Sequence, residues 1–348
     1  MFTNLHNPLK TKEFSPIRSY GLIRSALAVV VGIVAAACST ADRSRGSEFR
    51  VALLTPGPIS DQSWNAGAYA GLLRIRDSLN AQTSHIQVKT PADFEENFRQ
   101  YGASGYALVF GHGFEFQDAA ARVAVEYPKT MFVTTGGETV RANVAALSFA
   151  FDEPSFLAGM AAAAASKSGV VACVGGTELP PVKASFAAFA AGVRALRPDV
   201  QVIITYIGNW DDMSAGKEQA LALIQRQADV IFQNADAAGL GVSQAAKEHD
   251  GVLVVGSNSN QNAVAPTVTI GSVVIDLPHA LYLVAKEVRS GVFKARTIRL
   301  GTREDVVRWE PSGILARSVS VFDRLRIDSV QAAMRTGAFA PPVTPPTR

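Results

Sequence analysis

Only two cysteines, Cys38 and Cys173, occur among the 348 residues. At most one disulfide can form, and none forms if Cys38 is modified. Cys173 lies in the apolar run GVVACVGG, where a thiol most simply acts as a small buried hydrophobic group. After the N-terminal segment no run of apolar residues is long enough to span a membrane, and the Ala-rich stretch FLAGMAAAAASKSG predicts a buried helix.

Recognisable enzyme signatures are also missing. The segment GHGFEF lacks the third glycine of a dinucleotide fingerprint, SAGKE lacks the rest of a phosphate loop, and no Gly-x-Ser-x-Gly occurs. None of the five histidines shows metal-ligand spacing: His6, His85, His112, His249 and His279. We therefore expect no metal, no cofactor and no enzymatic activity.

The chain carries little net charge once its first 37 residues are set aside. Four of its 33 basic residues and one of its 30 acidic residues lie in that stretch, which leaves 29 of each sign. A neutral body gives no electrostatic reason to bind nucleic acid. Hydrophobic residues make up 48% of the chain and charged residues 18%, which is typical of a globular protein with a large core.

The N-terminus resembles a secretory signal, because a basic region ending at Arg24 is followed by the apolar run ALAVVVGIVAAAC. The end of this run, VAAACST, resembles a lipobox in which Cys38 is diacylated, although Ala35 stands where leucine is more usual. We predict a signal peptide at 1–37 and a lipid-anchored tether at 38–48, which places the protein outside the cytoplasm on a cell membrane. The alternatives are a plain signal peptide and an uncleaved anchor.

From Arg50 onward, segments that predict strands alternate with segments that predict helices. The runs RVALLT, YALVFG and TMFVTTGG indicate strands, and DQSWNAGAYAGLLRIRDSL and FQDAAARVAVEY indicate helices with apolar residues three and four apart. A second set with strands such as VQVIITYIG and GVLVVGSN follows. This pattern predicts an α/β fold of two doubly wound lobes with a cleft between them.

The lobes are expected to exchange segments near the C-terminus. The short elements VTIGSV, PHALYLVAKEVRSG and RTIRLG predict that the chain returns to the first lobe and then to the second. The expected N-terminal lobe comprises 49–149 plus 272–296, and the expected C-terminal lobe comprises 150–271 plus 297–335. The proline-rich end, 336–348, is expected to be a disordered tail.

The loops that follow the predicted strands are rich in Gly, Asn, Asp and Ser and carry several aromatic residues. They include TPGPISDQSWN, GHGFEFQD, IGNWDD, QNADAAG and GSNSNQN. In open α/β sheets ligands bind outside the carboxyl ends of the strands. These loops therefore predict an aromatic-walled, hydrogen-bonding pocket for a small polar ring compound, with Gly111 allowing close approach.

Four ordered stretches resemble the basic membrane lipoprotein family, which comprises substrate-binding proteins of ABC transporters of the purine nucleoside receptor type. They are VALLTPGPISDQSWNAGAYAGL, LVFGHGFEFQDAAARVAVEYPKTMFV, NVAALSFAFDEPSFLAG and ADVIFQNADAAGLGVSQAAKE. The resemblance implies a type I periplasmic-binding fold with a three-segment hinge. It also implies a nucleoside-like ligand that is passed to a membrane permease and its ATPase.

Matching the family motifs position by position, together with the loop analysis, gives a set of candidate ligand-binding residues: Asp61, Trp64, Asn65, Gly111, Phe114, Asp118, Trp210, Asn258 and Asn260. Trp64 and Trp210 are the expected aromatic walls, and core packing is the alternative for both. Asp118 matches a residue that contacts the base in the family, and the alternative is a favourable interaction with the helix dipole. For Asp61 the alternative is a helix N-cap.

At three places in this chain, neutral residues replace charged residues of the family pattern. Pro56 and Gly57 stand where the family usually has Asp-Thr-Gly after its first threonine, Asn258 and Asn260 stand where it has aspartates, and Ile275 lies near its lysine. Amides bind hydroxyl groups more weakly than carboxylates do. The identity of the ligand therefore stays open, and a ligand-sensing or surface-interaction lipoprotein without transport is the alternative function.

Overall fold

The computed structural model describes residues 48–342. The predicted signal peptide, the lipidation site Cys38 and residues 343–348 of the expected tail lie outside the described residues. Within the described part, twelve strands form two separate six-stranded sheets. Each sheet is the centre of one lobe.

The first lobe begins with five strands that alternate with helices. The strands are β1 (Arg50–Thr55), β2 (Gln82–Gln87), β3 (Leu108–Gly111), β4 (Met131–Thr135) and β5 (Val144–Phe149). The helices are α1 (Trp64–Leu79), α2 (Pro91–Ala103) and α3 (Gln117–Ala124), the last preceded by the 3-10 turn Phe114–Phe116. All neighbouring strands in this group pair in parallel.

The second lobe repeats this alternation. Its helices are α4 (Asp152–Ala165), α5 (Pro180–Leu196), α6 (Met213–Gln225) and α7 (Ala238–Lys247), and its strands are β6 (Val170–Gly175), β7 (Gln201–Tyr206), β8 (Val230–Asn234) and β9 (Leu253–Asn258). The packing of α4 on α5 depends on two glycines, because a Cβ on Gly159 would lie 2.0 Å from the Phe189 carbonyl oxygen and one on Gly192 would lie 1.9 Å from that of Phe156. The Ala-rich segment is thus the buried helix α4, as predicted.

The remaining elements connect the two lobes. They are β10 (Thr269–Ile275), α8 (Leu277–Arg289), β11 (Thr297–Leu300), β12 (Val307–Pro311), α9 (Gly313–Ser318) and α10 (Val321–Thr336). β10 pairs with β9 and β12 in the second sheet, whereas β11 pairs with β5 in the first sheet. The expected lobe boundaries at 272 and 297 are therefore each a few residues too early, because the buried strand β10 continues to Ile275 and the short strand β11 still belongs to the first lobe.

Three segments cross between the lobes: the link from β5 to α4, the link from β10 to α8, and the link from β11 to β12. The first and third are tied together, because Thr302 N donates to Glu153 Oε2 at 2.8 Å and Arg299 Nη2 contacts Asp152 Oδ1 at 2.7 Å. The predicted architecture, two doubly wound lobes joined by a three-segment hinge, is confirmed. The strand order is β11-β5-β4-β3-β1-β2 in one sheet and β12-β10-β9-β8-β6-β7 in the other.

Two further expectations concern Cys173 and the end of the chain. Cys173 is fully buried in the core of the second lobe, and burial raises the pKa of its thiol. Phe339 packs on Phe156 with ring centroids 5.4 Å apart, so the expected disordered tail cannot begin at 336. In residues 48–342 no helix combines the length and the apolar character that crossing a membrane requires.

Candidate functional site

A cavity of about 880 Å³ lies between the two lobes and is lined by residues of both. Its first-lobe wall comes mainly from the loops after β1, β3 and β4, and its second-lobe wall comes from the loops after β6, β7, β8 and β9. These loops follow the carboxyl ends of parallel strands, which is where open α/β sheets bind ligands. The volume is within the usual range for small-molecule sites.

The lobes touch each other beside this cavity. Ser259 Oγ donates to the Gln62 carbonyl, and Asn258 Nδ2 donates to Ser63 Oγ at 3.2 Å. Ser63 Oγ in turn lies 3.4 Å from the Ser257 carbonyl oxygen. The structure therefore has the closed arrangement of the lobes, in which the loop before α1 meets the end of β9.

Trp64 supplies an aromatic wall from the first lobe, and its position is held by His112. The two rings stack with centroids 4.1 Å apart and planes 21° apart, and Phe149 contacts the indole edge-on at 6.0 Å. His112 Nε2 donates to the Trp64 carbonyl at 3.0 Å, and Nδ1 accepts from Thr135 Oγ1 at 2.9 Å. Burial lowers the pKa of His112 to about 3, so the imidazole supporting Trp64 is neutral.

Trp210 lies on the second lobe and also lines the cavity. Its ring packs over Gly176, where a Cβ would lie 2.2 Å from the indole Cε3. The two predicted aromatic walls thus come from opposite lobes, together with Phe114 from the loop after β3. The third tryptophan, Trp309, is 2% exposed and belongs to the core of the second lobe.

Asp61 is buried, and its side chain binds backbone N–H groups at the start of α1. Its carboxylate accepts hydrogen bonds from the backbone N–H groups of Ser63 at 3.0 Å, Asn65 at 2.8 Å and Ala66 at 2.9 Å. It also accepts from Asn65 Nδ2 at 2.8 Å. Asp61 is not among the residues that line the cavity, so the structure favours the helix-cap alternative over direct ligand contact.

Asn65 and Asn258 line the cavity from opposite lobes. Asn65 Nδ2 donates to Asp61 Oδ2, which turns Oδ1 away from that carboxyl group. Asn65 is 1% exposed, and its Oδ1 has no hydrogen-bond partner among the described residues. Asn258 adopts a left-handed backbone conformation with φ of 64°, as does the neighbouring cavity residue Asp236 with φ of 48°. Left-handed conformations cluster at binding sites.

Three of the candidate residues lie away from the cavity. Gly111 packs inside the first lobe, where a Cβ would meet Phe98 and Phe116 at 2.7 and 2.8 Å. Asp118 is exposed, because the buried face of α3 consists of alanines and Val123 and the helical repeat turns residue 118 outward. Asn260 is exposed as well, and its Oδ1 accepts from Asn262 N at 3.0 Å. The structure gives none of the three a position from which it contacts a cavity ligand.

The motif comparison missed every acidic residue that lines the cavity, among them Glu115 from the first lobe and Asp236 from the second. Burial raises the pKa of both carboxyls, and for Asp236 the nearby charge of Asp61 adds to this effect, while hydrogen bonds from Ser63 and Asn258 oppose it. Asp236 Oδ1 accepts from Asn258 Nδ2 at 3.1 Å. A carboxyl is therefore present beside the neutral Asn258. Both acids follow the carboxyl end of a strand, and this position is the sequence feature that could have identified them as cavity residues.

Comparison with known proteins agrees with this architecture. A sequence profile of the PnrA-like ABC transporter substrate-binding proteins, the Bmp family, matches residues 49–331. The nucleoside-binding protein BmpA of an ABC transporter from Lactococcus lactis is 31% identical over 255 residues, which cover 68% of this chain and 73% of that protein. The transcriptional activator protein Med of Bacillus subtilis is 26% identical over 251 residues, covering 72% and 78%.

A solved structure of an ABC transporter solute-binding protein from Aeropyrum pernix K1 has a TM-score of 0.77 to this chain at 22% identity, covering 85% of this chain and 94% of that one. This likeness and the two hinged sheets define the fold as the type I periplasmic-binding fold. By the match over most of its length, this chain belongs to the Bmp family of ABC transporter substrate-binding proteins. Proteins of this class bind a small molecule and work with a membrane transporter.

Proposed function

We propose that this protein binds a nucleoside or a similar small ring compound in the interlobe cavity and delivers it to the permease and ATPase of an ABC transporter. The observation that carries the proposal is the interlobe cavity to which each lobe contributes an indole, Trp64 and Trp210, from the loops that follow parallel strands. Flat heteroaromatic rings gain from stacking on such walls. The nucleoside-binding relative from Lactococcus lactis supports the same ligand class.

The direct test is isothermal titration calorimetry with purified protein and a panel of adenosine, guanosine, inosine, cytidine and uridine, with ribose as the matched control that lacks a base. We expect at least one nucleoside to bind and ribose to bind far more weakly. If ribose bound as tightly as every nucleoside, or if no ring compound bound, the proposed ligand class would be wrong.

We also propose that the protein is a lipoprotein held at the outer side of a cell membrane through Cys38, and that it carries out no catalysis. The support for the anchor is the apolar segment that ends in VAAAC. The acyl chains would have no other attachment point, so Cys38→Ser should release the protein into the soluble fraction and abolish labelling by a radioactive fatty acid. Fatty-acid label retained on the Cys38→Ser protein would contradict the anchor.

The alternative function is ligand sensing without transport, and the relationship to the transcriptional activator of Bacillus subtilis favours keeping it. The two functions differ in what a deletion does. Loss of a transport protein should abolish uptake of radiolabelled nucleoside by the cells. Loss of a sensor should leave uptake intact and change the response of the cells to the nucleoside.

A further inference from the structure

Several residues that line the cavity carry hydrogen-bond acceptors. One of them is Asn65, which is 1% exposed and keeps its Oδ1 without a hydrogen-bond partner among the described residues. A buried acceptor without a donor destabilises the ligand-free protein. A ligand that placed an N–H or O–H group at this oxygen would remove that destabilisation.

Two carboxyls face the same cavity from opposite lobes. Glu115 lies in the 3-10 turn after β3, with its carboxyl folded back over Gly113, and Asp236 lies in the loop after β8, 5% exposed. Carboxyl oxygens accept hydrogen bonds, so both groups can take a donor from the ligand.

The charges that line the cavity have an acidic excess. Five acidic residues line it, namely Glu115, Glu138, Asp152, Asp211 and Asp236. The two basic residues that line it in the described part of the chain, Lys183 and Arg299, are each paired, with Glu178 at 3.0 Å and with Asp152 at 2.7 Å. Each base already has an acidic partner, so the excess of negative charge remains, and like charges at close range repel strongly in a partly dry site.

We propose that Glu115 and Asp236 are specificity-determining residues that, together with Asn65 Oδ1, accept hydrogen bonds from a neutral or cationic ring compound and exclude anions such as nucleotides. This inference rests on the proposed function and adds the charge and the hydrogen-bonding character of the ligand. It also assigns the contact with the ligand's hydrogen-bond donors to Glu115 rather than to Asp118. Glu115 lies three residues before Asp118 and lines the cavity, whereas Asp118 is exposed.

The test uses the full protein and calorimetry with each nucleoside of the panel beside its own 5′-monophosphate, which adds only the anion. We expect the monophosphate to bind roughly 100-fold more weakly than the nucleoside or not at all. The isosteric variants Glu115→Gln and Asp236→Asn should each weaken nucleoside binding by roughly 10- to 150-fold, since each removes a charge-assisted hydrogen bond.

Two matched control variants make the same carboxyl-to-amide change at positions outside the cavity. Asp118→Asn lies on the same lobe as Glu115, and Asp250→Asn lies on the same lobe as Asp236; both side chains are exposed, and both variants should bind as the parent does. Circular dichroism and thermal melting establish that each variant is folded.

The outcomes separate this inference from the function on which it rests. If nucleosides bind but their monophosphates bind equally well, or if Glu115→Gln and Asp236→Asn keep the parent affinity, the proposed function stands and the inference is wrong. If Asp118→Asn loses affinity while Glu115→Gln does not, the family pattern is right and the assignment of Glu115 is wrong. If the parent binds no ring compound, both the function and the inference are wrong.

Discussion

Removing the indole of Trp64 should weaken nucleoside binding without unfolding the protein. One face of this ring is covered by His112 at 4.1 Å, so a ligand can stack only on the other face. Stacking of a base on an aromatic side chain contributes roughly 1–3 kcal/mol. Trp64→Ala should therefore raise the Kd by about 5- to 150-fold.

The assay is intrinsic fluorescence during titration with the tightest-binding nucleoside. The chain has three tryptophans, and two of them line the cavity, so ligand should quench a large part of the signal. In Trp64→Ala the residual quenching reports Trp210, and in Trp210→Ala it reports Trp64. The same 5- to 150-fold loss is expected for Trp210→Ala because it removes the wall on the other lobe.

The matched control is Trp309→Phe rather than Trp309→Ala. Trp309 is 2% exposed in the core of the second lobe, and truncating a buried tryptophan to alanine costs roughly 3–5 kcal/mol. The phenylalanine variant keeps most of the packing and should bind as the parent does. If Trp64→Ala and Trp210→Ala bound within twofold of the parent, the aromatic walls would not hold the ligand and the stacking argument would fail.

Three further predictions concern closure, pH and the hinge. Ligand should reduce the radius of gyration measured by small-angle X-ray scattering, because both lobes must contact it at once; an unchanged radius would indicate a rigid molecule. Burial raises the pKa of Asp236, so the folded protein binds a proton there more tightly than the unfolded chain does. The stability that this protonation contributes is complete below pH 3.8, the ordinary pKa of an aspartate, and is lost as pH rises through the raised pKa. Asp236→Asn should therefore raise the Tm of the ligand-free protein at neutral pH and remove a slope of at most about 1.4 kcal/mol per pH unit; Tm curves parallel to those of the parent between pH 4 and 8 would contradict this. Glu153→Gln should weaken the contact with Thr302 that joins two of the crossing segments and so lower the Tm, whereas Glu178→Gln at an exposed ion pair should change it little; equal melting of the two variants would argue against the hinge role.

Much of the lobe architecture could be predicted from the sequence, because apolar strands and amphipathic helices alternate with a clear period. The exchange of segments near the C-terminus was predicted less accurately. β11 has only 4 residues, and nothing in TIGSVVI or TIRL distinguishes one sheet from the other. Only the pairing of β10 with β9 and of β11 with β5 decides which sheet each strand joins.

The candidate site was likewise predicted only in part from the sequence. Trp64, Asn65, Phe114, Trp210 and Asn258 line the cavity, and their contact with a ligand stays a prediction. The assignments of acidic residues to the ligand depended on side-chain direction, which a motif does not carry. Asp61 turns back to the N–H groups of α1, and the 3-10 turn before α3 places Glu115 in the cavity while Asp118 points to solvent.

The central claim is that the interlobe cavity holds a neutral or cationic nucleoside-like compound. The most direct test is mass spectrometry of small molecules released from protein that was purified under native conditions. A heteroaromatic nucleoside or a close relative should be released from the parent and should be lost from the Trp64→Ala, Trp210→Ala double variant. A sugar, an amino acid or an anionic nucleotide released in equal amount from both proteins would contradict the account.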